Sequence, residues 1–231
     1  DVCSSDLISK FYGKQMDLVI GRINASSKSF EEWLFNVKEQ SQDMAASMTP
    51  IIIDLMEAQS EDVANFITGE LLTITPEVRA AVEANVLKIS GVNNAETLTA
   101  LEKTLGEGTT NGESLAKLKK RVEQVYSDAK GYRAERIART ESLKATNRTA
   151  ELVYKNNGYS ELVWYANPDA CEFCQASAGK TKTIGSSFIS IGDVVNGEDG
   201  GALQIAYDDI DVPPLHPNCA CSILPTGERM S

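Results

Sequence analysis

The feature that most constrains this chain is the placement of its soft, metal-binding side chains. The single histidine lies in Pro213-Pro214-Leu215-His216-Pro217-Asn218-Cys219-Ala220-Cys221, and a second pair of thiols lies upstream in Cys171-Glu172-Phe173-Cys174. Only Cys3 falls elsewhere among the five cysteines. The segment around these residues is rich in Gly, Pro, Asp and Asn, with short apolar runs at Leu162-Val163-Trp164-Tyr165, Ser187–Ile191 and Cys221–Leu224. So little apolar material predicts a unit without much core, and such units are usually closed by a metal or by disulfides.

A Cys-x-x-Cys pair brings two thiolates to one side of a tight turn, as half of a tetrahedral zinc site requires. His216-x-x-Cys219-x-Cys221 supplies the other half. Five candidates compete for four positions, and the preferred set is Cys171, Cys174 and Cys219 with either His216 or Cys221. The gap of about forty residues between the two halves exceeds the usual zinc-finger spacing. Two disulfides or free buried thiols remain alternatives. A catalytic Cys–His dyad has no orienting partner to complete it. The zinc deaminase pattern places His-x-Glu before the Cys-x-x-Cys, whereas here the histidine follows it and no glutamate accompanies it.

The preceding two-thirds reads as helix. Leu7, Ile8, Phe11, Leu18, Val19 and Ile23 follow helical spacing behind candidate caps Ser4, Ser5 and Asp6. After a serine-rich break at residues 26–29, Phe30, Trp33, Leu34 and Val37 begin a second helix running to Met44 or Met48. Thr49-Pro50 reads as a restart, with Ile52, Leu55, Met56, Val63 and Phe66 on the apolar side and an end near Gly69. Thr75-Pro76-Glu77 opens a helix that Gly91 is expected to stop, and Asn93-Asn94 a short one ending at Gly106. Residues 106–112 read as a flexible linker. Helices from Leu115 to Tyr126 and from about Ala129 to Lys155 follow, closed by Asn156-Asn157-Gly158. The fold class is therefore α+β: a mostly helical N-terminal two-thirds, then a small, loop-rich, short-strand unit stapled by the Cys/His cluster.

The net charge of −11 argues against a general nucleic-acid binder. Between Lys117 and Arg148, however, ten Lys/Arg face four Asp/Glu. Lys117, Lys119, Lys120, Arg121, Arg133 and Arg136, with Arg139 beyond them, are the candidate nucleic-acid contacts; a solvated helix face is the plainer reading. On the last long helix, Glu141 shares a face with Ala134, Ile137, Ala138, Ala145, Arg148 and Leu152. A carboxylate there needs a partner if the face is buried, with Arg148 the local candidate. Hydrophobic residues make up 42% and charged residues 24%, ordinary for a globular chain. No apolar run is long enough to span a membrane and no signal-peptide pattern opens the chain. The absent initial methionine suggests part of a longer polypeptide.

Taken together, Ala138-Arg139-Thr140-Glu141 with Asn147, then Gly158, Trp164, Cys171-x-x-Cys174 and Pro213-Pro214-x-His216-Pro217-x-Cys219-x-Cys221 resemble the phage Mu F-like minor head protein family, the phage head morphogenesis domain. The resemblance covers about Leu115 to Pro225. Ala220 departs from it, since arginine is common there in the family. What it implies is a structural minor capsid protein of a tailed bacteriophage and not an enzyme, associated with the portal protein and other head proteins. It would act in head assembly and the handling of packaged DNA, inside the virion near the portal, after assembly in the host cytoplasm. In some phages the domain is fused to the C-terminus of the portal protein. Residues 1–110 are then a helical connector, and residues 111–231 the head morphogenesis domain, with helices over 113–157 and the Cys/His unit over 159–225. An effector or toxin-type enzyme module and a zinc-stapled DNA-contacting module are the competing readings.

Overall fold

Helix-forming sequence fills the first two-thirds of the chain, and the computed structural model describes it over residues 4–25 and 36–227. Phe30, Trp33 and Leu34, with the serine-rich break and Cys3, lie outside the described residues. Helix α1 spans Ser4–Ala25, α2 Val37–Ile67, α3 Pro76–Thr110, α4 Leu115–Asp128 and α5 Ala134–Asn156. A π-helical turn over Ala129–Arg133 joins α4 to α5, where Gly131 (φ −84°, ψ −113°) leaves helical geometry. The short strands are β1 Glu161–Tyr165, β2 Thr181–Thr183, β3 Val194–Asn196, β4 Ala202–Gln204 and β5 Ser222–Thr226, with a one-turn helix α6 at Glu172–Gln175. The α+β class expected from the sequence is the class observed. Among the described residues no helix is long and apolar enough to cross a membrane.

Three expected breaks are not breaks. Pro50 lies inside α2, because one missing N–H removes one helical hydrogen bond while the flanking turns continue. Thr49, read as a cap, instead donates its hydroxyl to the Ala45 carbonyl at 2.9 Å. Gly91 does not stop α3, and Asn93 and Asn94 do not open a new helix. Both asparagines donate backward to the carbonyls of Ile89 and Ser90 at 2.9 Å, and Asn94 Oδ1 accepts from Gln15 Nε2 at 2.8 Å. The residues read as a flexible linker are helical to Thr110, and Gly108 is buried against Leu118 and Arg121. A glycine there permits close approach; it does not confer flexibility.

The sequence signals that held are local ones. Thr75 caps α3 with its hydroxyl oxygen accepting the Val78 N–H, and Pro76 follows at the first helical position. Gly158, at φ +84°, ends α5, and the Tyr159 N–H returns to the Tyr154 carbonyl at 3.0 Å.

The chain divides into two compact units, neither continuous in sequence: Asp1–Ile51 with Thr75–Ala138, and Ile52–Ile74 with Arg139–Ser231. In the first, Ile8, Phe11, Tyr12, Val19, Met44, Met48, Leu101, Leu105, Val122 and Tyr126 are among the buried apolar residues. A polar network runs through it: Gln15 Nε2 donates to Asn94 and Gln40, and Gln15 Oε1 accepts the Tyr126 hydroxyl at 3.1 Å. With both ends of the Gln15 amide satisfied, its burial costs little and fixes the register of the helices around it.

In the second unit β1 is central to an antiparallel sheet ordered β2-β1-β5, with Leu162 opposite Lys182 and Trp164 opposite Ile223. The hairpin β3–β4 is separate, with Val195 opposite Leu203. Contrary to the expectation of a nearly coreless unit, two clusters form. Val63, Ala64, Ala150, Val153, Tyr154, Leu162, Val212 and Ile223 make one. Trp164, Cys174, Ile189, Val195, Ile205, Ile210, Leu215 and Cys221 make the other. Trp164 meets Phe188 edge-on at 5.4 Å between centroids. The apolar residues of this unit are scattered singly over short strands, and helix segments far away in sequence supply the rest.

Candidate metal centre

The Cys171–Cys174 half is shaped by α6. Cys171 is its N-cap, in extended backbone at φ −64°, ψ 166°, and Cys174 lies inside the single turn. The other half is a turn in which the Cys219 N–H donates to the His216 carbonyl at 3.1 Å, with Asn218 left-handed at φ +65°. These turns bring Cys171 Sγ to 3.0 Å and Cys174 Sγ to 3.3 Å from His216 Nε2, and Cys174 Sγ to 3.5 Å from Cys219 Sγ. Two overlapping groups result, Cys171–Cys174–His216 and Cys174–Cys219–Cys221, with Cys174 common to both. Cys171 is exposed and Cys174 and Cys221 are buried. The four described cysteines are free, and among the described residues no disulfide closes the region. These groups can hold a metal ion.

The surroundings suit ligation. His216 Nδ1 faces the Pro217 carbonyl at 2.8 Å. A carbonyl only accepts, so Nδ1 carries the proton and the Nε2 lone pair points at the thiols, the orientation a metal-binding imidazole takes. The Cys221 N–H lies 3.4 Å from Cys219 Sγ. The neighbouring Cys174 and Cys221 thiols, with that N–H, pull the Cys219 thiol well down, and the same contact pushes Cys174 up. Burial pushes Cys171 up, but the Cys174 N–H and His216 outweigh it and its thiol is net lowered. Burial pulls His216 down, and the Pro217 carbonyl and Cys171 outweigh that in turn. Around a tetrahedral zinc with bonds of about 2.0–2.3 Å, neighbouring ligand atoms stand roughly 3.5–3.8 Å apart. The Cys171–His216, Cys174–His216 and Cys174–Cys219 pairs fall a few tenths of an ångström short of that, while the two groups share only Cys174.

The other predicted residues divide. Asn147 is buried on α5, and its Nδ2 donates at 3.1 Å to the Cys221 carbonyl, tying the helix to the cluster. Arg139 and Arg148 are exposed, and Glu141 is half-buried. Arg148 pairs with Glu151, not with Glu141. Burial raises the Glu141 carboxyl, partly offset by Lys144. Of the basic candidates, Lys117 and Lys120 are exposed and Lys119 is half-buried. Arg121 is engaged by both oxygens of Glu113, at 2.7 and 2.9 Å, and by Thr104. Arg133 donates to Thr97 at 3.0 Å, and Arg136 lies over the Tyr132 ring at 5.8 Å. The structure therefore brings the Cys/His residues together but ties three of the six basic candidates to protein partners.

The sequence reading missed two features of this unit. The first is Glu151 paired with Lys182, both buried. A face shared by Asn147 and Glu151, four apart on α5, was the available signal. The second is Glu172, inside the Cys-x-x-Cys, which reaches Gly201 and Gly197 on the β3–β4 turn. Paired glycines in Asn196-Gly197-Glu198-Asp199-Gly200-Gly201 hinted at close approach.

Neither a curated protein nor a solved structure matches the chain significantly. The family model described as Phage Mu protein F like protein matches residues 99–224, more than half of the chain, and that span contains α4, α5 and the whole Cys/His cluster. The chain thus belongs to the Phage Mu protein F like family of phage head-morphogenesis proteins.

Proposed function

We propose that the protein is a structural minor capsid component of a tailed phage, carried in the virion and seated inside the head near the portal. There it acts in head assembly and in handling packaged DNA. The family match over residues 99–224 carries this reading. Mass spectrometry of purified heads and of portal complexes released from them tests it. Recovery with the portal is expected; absence from DNA-filled heads overturns it.

Its role is structural and not enzymatic. Zinc, held by Cys171, Cys174, His216 and Cys219, closes the C-terminal unit and fixes the two turns that carry it. What supports this set is the run of contacts from Cys171 to His216, Cys174 and Cys219. Cys221, whose Sγ also lies within 4.8 Å of those of Cys174 and Cys219, is fully buried in the apolar cluster of Trp164, Leu215 and Ile210 and is assigned to that packing. Metal content per chain, on protein purified without added zinc, gives one equivalent if this holds and none if the thiols are merely free.

The packaged-DNA contact falls to Lys117 and Lys120, since Arg121, Arg133 and Arg136 already have partners. Residues 1–110 serve as the connector towards the portal.

A further inference from the structure

Glu172 is the second residue of the Cys-x-x-Cys, yet it points away from the sulfurs to the turn between β3 and β4. The Gly201 N–H donates to Glu172 Oε2 at 3.3 Å. A Cβ on Gly201 would stand 2.6 Å from Glu172 Oε1 and 3.0 Å from Phe173 Cζ, and one on Gly197 would overlap the carboxylate itself. Neither glycine has the positive φ that would otherwise explain it, unlike Gly200 at +87°. A methyl group at either position would need space that the Glu172 side chain occupies. The two glycines also close the turn themselves, through the Gly197 N–H to the Gly201 carbonyl at 2.9 Å. Val195 of the same hairpin is buried in the same cluster as Cys174.

We infer that Glu172 is a positioning residue for the metal centre, clamping the Cys171–Cys174 turn onto the β3–β4 hairpin through a glycine cradle. The inference rests on the reading of the Cys/His cluster as a zinc site. The carboxylate touches no ligand atom; it holds the one-turn helix whose geometry sets the spacing of two thiolates. Such a turn has too few hydrogen bonds to hold itself in one arrangement. Residues supporting metal ligands typically contribute 10–100-fold to affinity. Coupling of this kind is reciprocal: if the hairpin holds the ligand turn, an occupied metal site holds the hairpin.

The test is zinc affinity, measured by competition with a chromogenic chelator, on the full chain and on Glu172→Ala, Glu172→Gln and Gly197→Ala. Glu172→Ala and Gly197→Ala are expected to bind zinc on the order of tenfold more weakly. Glu172→Gln keeps an oxygen acceptor of the same shape and is expected within about threefold of the parent. Cobalt-substituted Glu172→Ala should retain the tetrahedral thiolate absorption of the parent, because all four ligands remain. Hydrogen exchange across residues 194–204 should slow when zinc is added to the parent, and less so in Glu172→Ala. Equal zinc affinities for all four proteins, or hairpin exchange in the parent that ignores zinc, would overturn the clamp. A parent chain that takes up no zinc would instead overturn the metal site, a result distinct from either.

Discussion

Lys182 Nζ stands 2.6 Å from Glu151 Oε1, with only 1% and 2% of the two side chains exposed. Lys182 also donates to the Ser186 carbonyl at 2.9 Å and lies 5.1 Å from the centroid of the Phe188 ring. All directions of the ammonium group are thereby served, which is what makes its burial tolerable. The pair ties α5 to β2 and gives one charged registration to a sheet of very short strands.

Removing Glu151 strands buried Lys182, and removing Lys182 leaves the buried Glu151 carboxylate only the half-exposed Arg148. Lys182→Met is expected to lower unfolding free energy by about 3–5 kcal/mol, and the double change with Glu151→Leu by clearly less. Urea denaturation of the two variants checks this; equal losses would show that packing and not the uncompensated charge matters.

The ligand set predicts a contrast between neighbouring cysteines. Cys219→Ala should lose bound zinc and the thermal stability it confers, whereas Cys221→Ala should keep about one zinc per chain and lose only packing, about 1–2 kcal/mol. Zinc analysis and melting curves with and without chelator separate the two. If Cys221→Ala releases the metal and Cys219→Ala does not, the assignment is reversed.

Glu141 gives a pH-dependent prediction. Its folded carboxyl is raised above the ordinary glutamate range by burial, so the native state holds the proton more tightly than the unfolded chain. Above the raised value the buried charge destabilises in full, and acidification through the window down to the ordinary value, about 4.3, relieves it. Glu141→Gln should therefore melt higher than the parent at pH 7, with the difference shrinking to near zero below about pH 4. A constant difference at every pH would remove titration as the cause.

Asn147 donates to the Cys221 carbonyl and to its own helix at Leu143, both at 3.1 Å. Asn147→Ala leaves the Cys221 carbonyl buried without that donor, at an expected cost of about 1–3 kcal/mol. Amide exchange should quicken around residues 219–223 before it does in α1, and uniform acceleration would argue for a global effect.

Charge reversal at Lys117 and Lys120 tests the proposed DNA-binding role. The slope of log affinity against log salt should fall by about one for each phosphate that is no longer neutralised. An unchanged slope, or no binding by the parent at low salt, removes these lysines from any such role.

Several of these residues could not be read from the chain alone. The Cys/His cluster was legible because its residue types are rare here and their spacing is short-range chemistry. Helix caps such as Thr75 and the stop at Gly158 were legible for the same reason: the atoms that decide them are a few residues apart. Asn94 looked like a cap, since asparagine competes with helical backbone when nothing else engages it. In the structure Gln15, seventy-nine residues away, engages it and keeps α3 running.

The sequence by itself determined that the chain would be helical and then loop-rich, which ligand types would gather, and which family it resembles. These depend on local backbone preferences and on rare residue types. Only the tertiary structure decided that Pro50 and Gly91 interrupt nothing, that Glu151 and not Glu141 holds the buried ion pair, and that Glu172 grips the β3–β4 turn. It also decided that both compact units are built from separated stretches of chain. Each of those outcomes turns on whether a distant partner satisfies a polar group or fills a space, and a local pattern does not carry that information.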